Sequence, residues 1–152
     1  MAALMATGPQ AGVAAPACTI NGSAGGEVII GTTGRDVICA KGGADWIDPR
    51  GGRDLVIAGS GNDFVRGSDG ADVLKGGSGQ DYLVGGSGPD RLLGGDGSDR
   101  CLNVKDSVSG NDTANGGSGT DMGLRNPGDV FVSIEVEAGG SSPCPPQPPN
   151  PL

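Results

Sequence analysis

The chain has 152 residues, 32 of them glycine, with 18 acidic against 10 basic residues, no histidine and a formal charge of −8. That length allows one domain of modest size, and the acidic balance excludes the basic surface that nucleic acid requires. The missing histidine excludes Ser-His-Asp and Cys-His catalysis, His-ligated zinc and the usual general base at neutral pH, and no apolar run approaches the ~18 residues that span a bilayer.

Residues 1–17, MAALMATGPQAGVAAPA, carry no charge, and Ala15-Pro16-Ala17 has the small-x-small form of a signal-peptidase site. They read as a secretory leader, with a disordered Ala-rich arm as the alternative. Residues 18–139 are expected to form the folded unit. It opens on a degenerate nine-residue block, GSAGGEVII (22–30), with Glu27 at its sixth position. From Gly31 the blocks run in phase, from GTTGRDVIC (31–39) to GGDGSDRCL (94–102). Four extra residues, 103–106, precede SVSGNDTAN (107–115) and GGSGTDMGL (116–124). Residues 128–139, GDVFVSIEVEAG, alternate Val130, Val132, Ile134 and Val136 against Phe131, Ser133, Glu135 and Glu137. That alternation predicts a half-buried strand capping the open end. The Pro-rich stretch 140–152 predicts an extended tail without a core.

Position 4 is glycine in all ten in-phase blocks. Position 6 is aspartate in all ten: Asp36, Asp45, Asp54, Asp63, Asp72, Asp81, Asp90, Asp99, Asp112 and Asp121. Position 8 is apolar in the first seven, from Ile38 to Leu92, and then Cys101, Ala114 and Gly123. A period of nine with one inward residue excludes helices. It predicts a six-residue turn and a three-residue strand, stacked as an all-β parallel roll of about five 18-residue coils. Alternate aspartates then stack into two columns, one from Asp36 and one from Asp45. At the strand spacing of ~4.8 Å, neighbouring carboxylates repel by ~1 kcal/mol even in water. A divalent cation relieves that repulsion, and hard oxygen ligands suit Ca²⁺.

Blocks such as GGSGQDYLV and GGDGSDRCL resemble the RTX, or haemolysin-type, calcium-binding nonapeptide G-G-x-G-x-D-x-U-x, which folds as a parallel β-roll. The resemblance covers residues 31–124 well and 22–30 weakly. It implies several calcium ions in both columns, with folding in extracellular calcium after export. Glu27, the insert, and the small Ala114 and Gly123 depart from the pattern. Blocks 31–57 also lack the Gly-Gly start.

Position 7 on alternate coils reads Trp46, Phe64, Tyr82, Arg100. This outward ladder is either same-face stabilisation or a contact surface for a homodimer, an ordered ligand or ordered water. Of the three pairings open to four cysteines, Cys18–Cys39 and Cys101–Cys144 place one staple at each end, although inward Cys101 is equally placed to be core. The function expected is a secreted, non-enzymatic calcium-binding roll that folds on metal binding. Its alternatives are a surface-recognition protein (ice, clathrate hydrate, polysaccharide or adhesion) and the export or stability module of an RTX enzyme.

Overall fold

The computed structural model describes residues 15–104, 111–124, 126–134 and 136–137. The chain winds as a parallel β-solenoid, as the period requires, with about six turns at a spacing of about 18 residues. Sheet I stacks Ile20–Asn21, Val37–Gly42, Leu55–Ser60, Val73–Ser78, Arg91–Asp96, Thr113–Ser118 and Val130–Val132. Sheet II stacks Val28–Ile30, Trp46–Asp48, Phe64–Gly70, Tyr82–Ser87, Cys101–Asn103, Met122–Leu124 and Val136–Glu137, with Gly51–Gly52 paired beside Phe64–Gly70. No described helix is long and apolar enough to cross a membrane.

The position-8 residues meet between the sheets. Ile38, Val56, Leu74 and Leu92 of sheet I, and Ile47, Val65 and Leu83 of sheet II, are all 0% exposed, as is Leu102 at position 9 of its block. Burying each side chain of this size contributes ~1.5–3 kcal/mol. Position 1 also points inward where it is alanine, at Ala40 and Ala58. The interior is thus a single file of branched aliphatic side chains, and each coil depends on its neighbours to cover it.

Strands such as Trp46–Asp48 keep the expected three residues, but others are longer. Leu55–Ser60, Val73–Ser78 and Arg91–Asp96 each run six, with Gly59↔Gly77 and Ser60↔Ser78 still in register. The chain turns the corner without leaving the sheet because position 2 adopts left-handed backbone, as at Gly59 (φ 119°) and Gly77 (φ 117°).

The ends depart further from the expected pattern. Cys101 pairs with Tyr82 and Leu102 with Leu83, one residue out of step with the repeat. The Arg100 N–H still bonds the Asp81 carbonyl (2.9 Å), so Arg100 and Cys101 together oppose Tyr82 as a bulge. Leu102 therefore takes the inward place in the core cluster, Cys101 is buried beside it, and exposed Arg100 leaves the ladder. Residues 128–139 form two short strands, one in each sheet, instead of a single cap strand. In Val130–Val132 the phase is inverted: Phe131 packs on the core beside Ala114, while Val130 and Val132 are about half exposed. A Cβ on Gly123 would strike the Phe131 ring, so the two small residues of the last blocks make room for this aromatic.

Cys18 and Cys39 form a disulfide with Cα atoms 5.9 Å apart, stapling the first strand of sheet I to its neighbour. The Cys101–Cys144 pairing involves Cys144, which lies outside the described residues, as do residues 1–14 and the 140–152 tail.

Candidate metal centre

All ten repeat aspartates are buried, between 0 and 5% exposed. Two features of the turn place them there. Left-handed glycines at position 4, such as Gly61 (φ 135°) and Gly79 (φ 134°), fold the backbone tightly back before the aspartate. A ladder then fixes the side chain. The N–H of Asp36 donates to Asp54 Oδ1 (2.8 Å), Asp54 to Asp72 (2.9 Å), and Asp72 to Asp90 (2.9 Å). In the other column Asp45 donates to Asp63 (2.9 Å), Asp63 to Asp81 (2.9 Å), and Asp81 to Asp99 (3.0 Å). Both columns continue across the insert, from Asp90 to Asp112 and from Asp99 to Asp121.

The ladder uses one oxygen of each carboxylate. The other, Oδ2, is buried without a hydrogen-bond donor at Asp45, Asp54, Asp63, Asp72, Asp81 and Asp99. Leaving a buried acceptor unsatisfied costs ~1–3 kcal/mol, and more for a charge. Protonation is the metal-free remedy: burial pushes the Asp72 and Asp99 carboxyls up to about 6 and that of Asp81 up to about 7. The ladder N–H opposes this shift, and neighbouring carboxylates add to it. Asp45, Asp54 and Asp63 are raised for the same reasons.

Glycines at position 1 keep space open beside these oxygens. A Cβ on Gly76 would overlap Asp81 Oδ2 and come 2.7 Å from the Gly94 carbonyl oxygen. A Cβ on Gly94 would overlap Asp99 Oδ2 and lie 2.5 Å from the Gly116 carbonyl oxygen. At Gly67 the neighbours are the Gly85 carbonyl and Asp72 Oδ2 (3.0 Å). Carboxylate and carbonyl oxygens from successive coils thus converge, which suits a hard cation. No three His, Cys, Asp or Glu side chains gather among the described residues. A cation here would take most of its ligands from backbone carbonyls.

The sequence pattern missed one member of the columns. Asp129 is 2% exposed and accepts the Asp112 N–H through Oδ1 (3.4 Å) and the Asn126 N–H through Oδ2 (2.7 Å). Its distance from Phe131 is that of position 6 from position 8, and this spacing was the available signal. Trp46, Phe64 and Tyr82 do stack. Their ring centroids are 5.9 and 5.1 Å apart, with interplanar angles of 17° and 35°. Phe64 is only 7% exposed between its neighbours, so the ring faces are turned toward one another and not toward solvent.

The fold and its carboxylates together define a calcium-binding β-roll, a parallel solenoid with acidic turns in two columns. Residues 21–56, 50–83, 57–92, 75–102 and 108–122 match the family model of the RTX calcium-binding nonapeptide repeat. These matches span well over half of the sequence, and the chain belongs to that family. Comparison with curated proteins and with solved structures finds no match.

Proposed function

We propose that the protein is a secreted, non-enzymatic calcium-binding roll whose folding is completed by calcium. The observation that carries this is the file of buried Oδ2 atoms without donors at Asp45, Asp54, Asp63, Asp72, Asp81 and Asp99. The repeat aspartates, with turn carbonyls, are the proposed ligands, and several ions fill the interior of the two columns. Metal supplied to such sites becomes folding free energy, because an unfolded chain holds no preformed site. The Cys18–Cys39 disulfide supports export, since such bonds persist in oxidising compartments. The chain's lack of histidine supports a binding role over a catalytic one.

Calcium titration monitored by circular dichroism tests this. The β-signal should be weak in excess chelator and rise cooperatively as free calcium approaches the millimolar range, with several ions bound per chain. A full β-signal in chelator, unchanged by calcium, would reject the switch.

A further inference from the structure

Position 2 of each block decides what happens to the second oxygen of the position-6 acid. In the first two blocks that residue is Ser23 or Thr32, in ordinary backbone. The Thr32 N–H (2.7 Å) and hydroxyl (3.0 Å) both donate to Asp36 Oδ2. The Ser23 N–H donates to Glu27 Oε2 (2.9 Å) and its hydroxyl to Glu27 Oε1 (2.8 Å). Even the ladder oxygen of Asp36 is served from this end, by the Thr19 hydroxyl (3.4 Å). At Lys41 (φ 79°), Arg50 (φ 74°), Gly59, Ser68, Gly77 and Gly95 position 2 is left-handed, and Oδ2 of the acid in the same block, Asp45, Asp54, Asp63, Asp72, Asp81 or Asp99, has no donor.

Ser68 provides an internal comparison. It occupies the same repeat position as Thr32 and has the same hydroxyl group, but its φ is 75°. Its hydroxyl bonds Asp48 Oδ1 (3.1 Å), and Asp72 Oδ2 stays without a donor. Backbone conformation, and not the presence of a hydroxyl, thus separates capped acids from bare ones.

We propose that the calcium columns do not run the full length of the roll: Glu27 and Asp36 are end caps satisfied by the protein itself, and cations enter only from the Asp45 and Asp54 turns onward. A carboxylate already accepting an N–H and a hydroxyl has little left to offer a metal, which would have to displace both donors. A protein-built end also terminates each column without a half-coordinated ion facing solvent. This inference rests on calcium filling the interior turns.

The test is calcium stoichiometry on the full chain, by equilibrium dialysis and native mass spectrometry in saturating calcium. Glu27→Gln and Asp36→Asn, singly and together, should bind as many ions as the wild type. Asp63→Asn and Asp72→Asn should each bind at least one fewer. Loss of an ion from either end variant, with circular dichroism matching the wild type, overturns the proposal. A second measurement needs no variant: anomalous scattering from terbium-soaked wild-type crystals. Peaks are expected beside the interior aspartates, and a peak within ~2.6 Å of an Asp36 or Glu27 carboxylate oxygen overturns the division. A wild type that binds no metal in either experiment instead rejects calcium binding by the roll as a whole, and the division falls with it.

Discussion

Asp81→Asn should change sign between calcium and chelator. Asp81 is 0% exposed, its Oδ1 accepts the Asp63 N–H, and its Oδ2 has no donor. Asparagine keeps the ladder acceptor and replaces the bare oxygen with an amide, close to the Gly94 carbonyl that borders the same space. In chelator at pH 8 the substitution removes a buried, unsatisfied charge. It should stabilise the folded state by about 1–3 kcal/mol, which raises the residual β-signal in chelator. The folded carboxyl is raised to about 7 from 3.8, so the native state binds the proton more tightly than the unfolded chain does. Metal-free wild type therefore gains stability as pH falls through about 7, and the advantage of asparagine should fade by pH 5. In millimolar calcium the order reverses, because each tenfold loss of affinity at one saturated site removes about 1.4 kcal/mol. The residual β-signal in chelator and thermal melts in calcium, each followed by circular dichroism at pH 5 and pH 8, read all four conditions. If asparagine destabilises equally in chelator and calcium at pH 8, the Asp81 charge was never a liability and the reasoning is wrong.

Lys41→Gly and Arg50→Gly should each stabilise the roll by ~0.5–1 kcal/mol in urea melts, because both residues sit at left-handed φ (79° and 74°) where the equivalent position is otherwise mostly glycine. Gly97→Ala should cost roughly 2–4 kcal/mol in the same assay: its φ is 129° and a Cβ would overlap the Gly79 carbonyl oxygen of the coil below. Phe131→Ala should remove ~2–4 kcal/mol. The loss should appear in hydrogen exchange as faster opening of 113–124 than of 37–60. Lowering the pH from 7 to 5 should weaken apparent calcium affinity, because protons compete for Asp72, Asp81 and Asp99, whose carboxyls are raised to about 6, 7 and 6. A calorimetric titration at the two pH values reads this directly.

The nine-residue period was sufficient to place most of the molecule. It set the 18-residue register, the inward line from Ile38 to Leu92, and both aspartate columns, because every block repeats the same local constraint. The Cys18–Cys39 staple was legible too, as cysteines at the first coil. What escaped was set by neighbours and not by the block itself. The bulge at Arg100 and Cys101 puts Leu102 beside Leu83, adding a larger side chain to the core cluster. The inverted phase of Phe131 comes from the space above Ala114 and Gly123, and Asp129 joining the column holds it there. The caps at Ser23 and Thr32 depend on backbone dihedrals that residue type does not reveal, as Ser68 shows.

The ladder also explains why the sixth position is aspartate and not asparagine. Everything the fold asks of that side chain is met by one oxygen: it accepts an N–H from the adjacent coil and orients the turn. Asparagine supplies the same oxygen and is at least as good in tight turns. It would do so without burying a charge between like charges. On folding grounds alone, a set of ten should therefore contain asparagines, yet all ten are aspartate. The difference between the two residues lies in the second oxygen, and that atom is the one left buried and without a donor in the interior turns. The same backbone ladder that stacks the coils also aims those oxygens in a row, so coil stacking and ligand placement are one event. Stability of the metal-free roll and affinity for calcium are then opposed properties of one atom. This opposition is what the proposed folding on calcium would exploit.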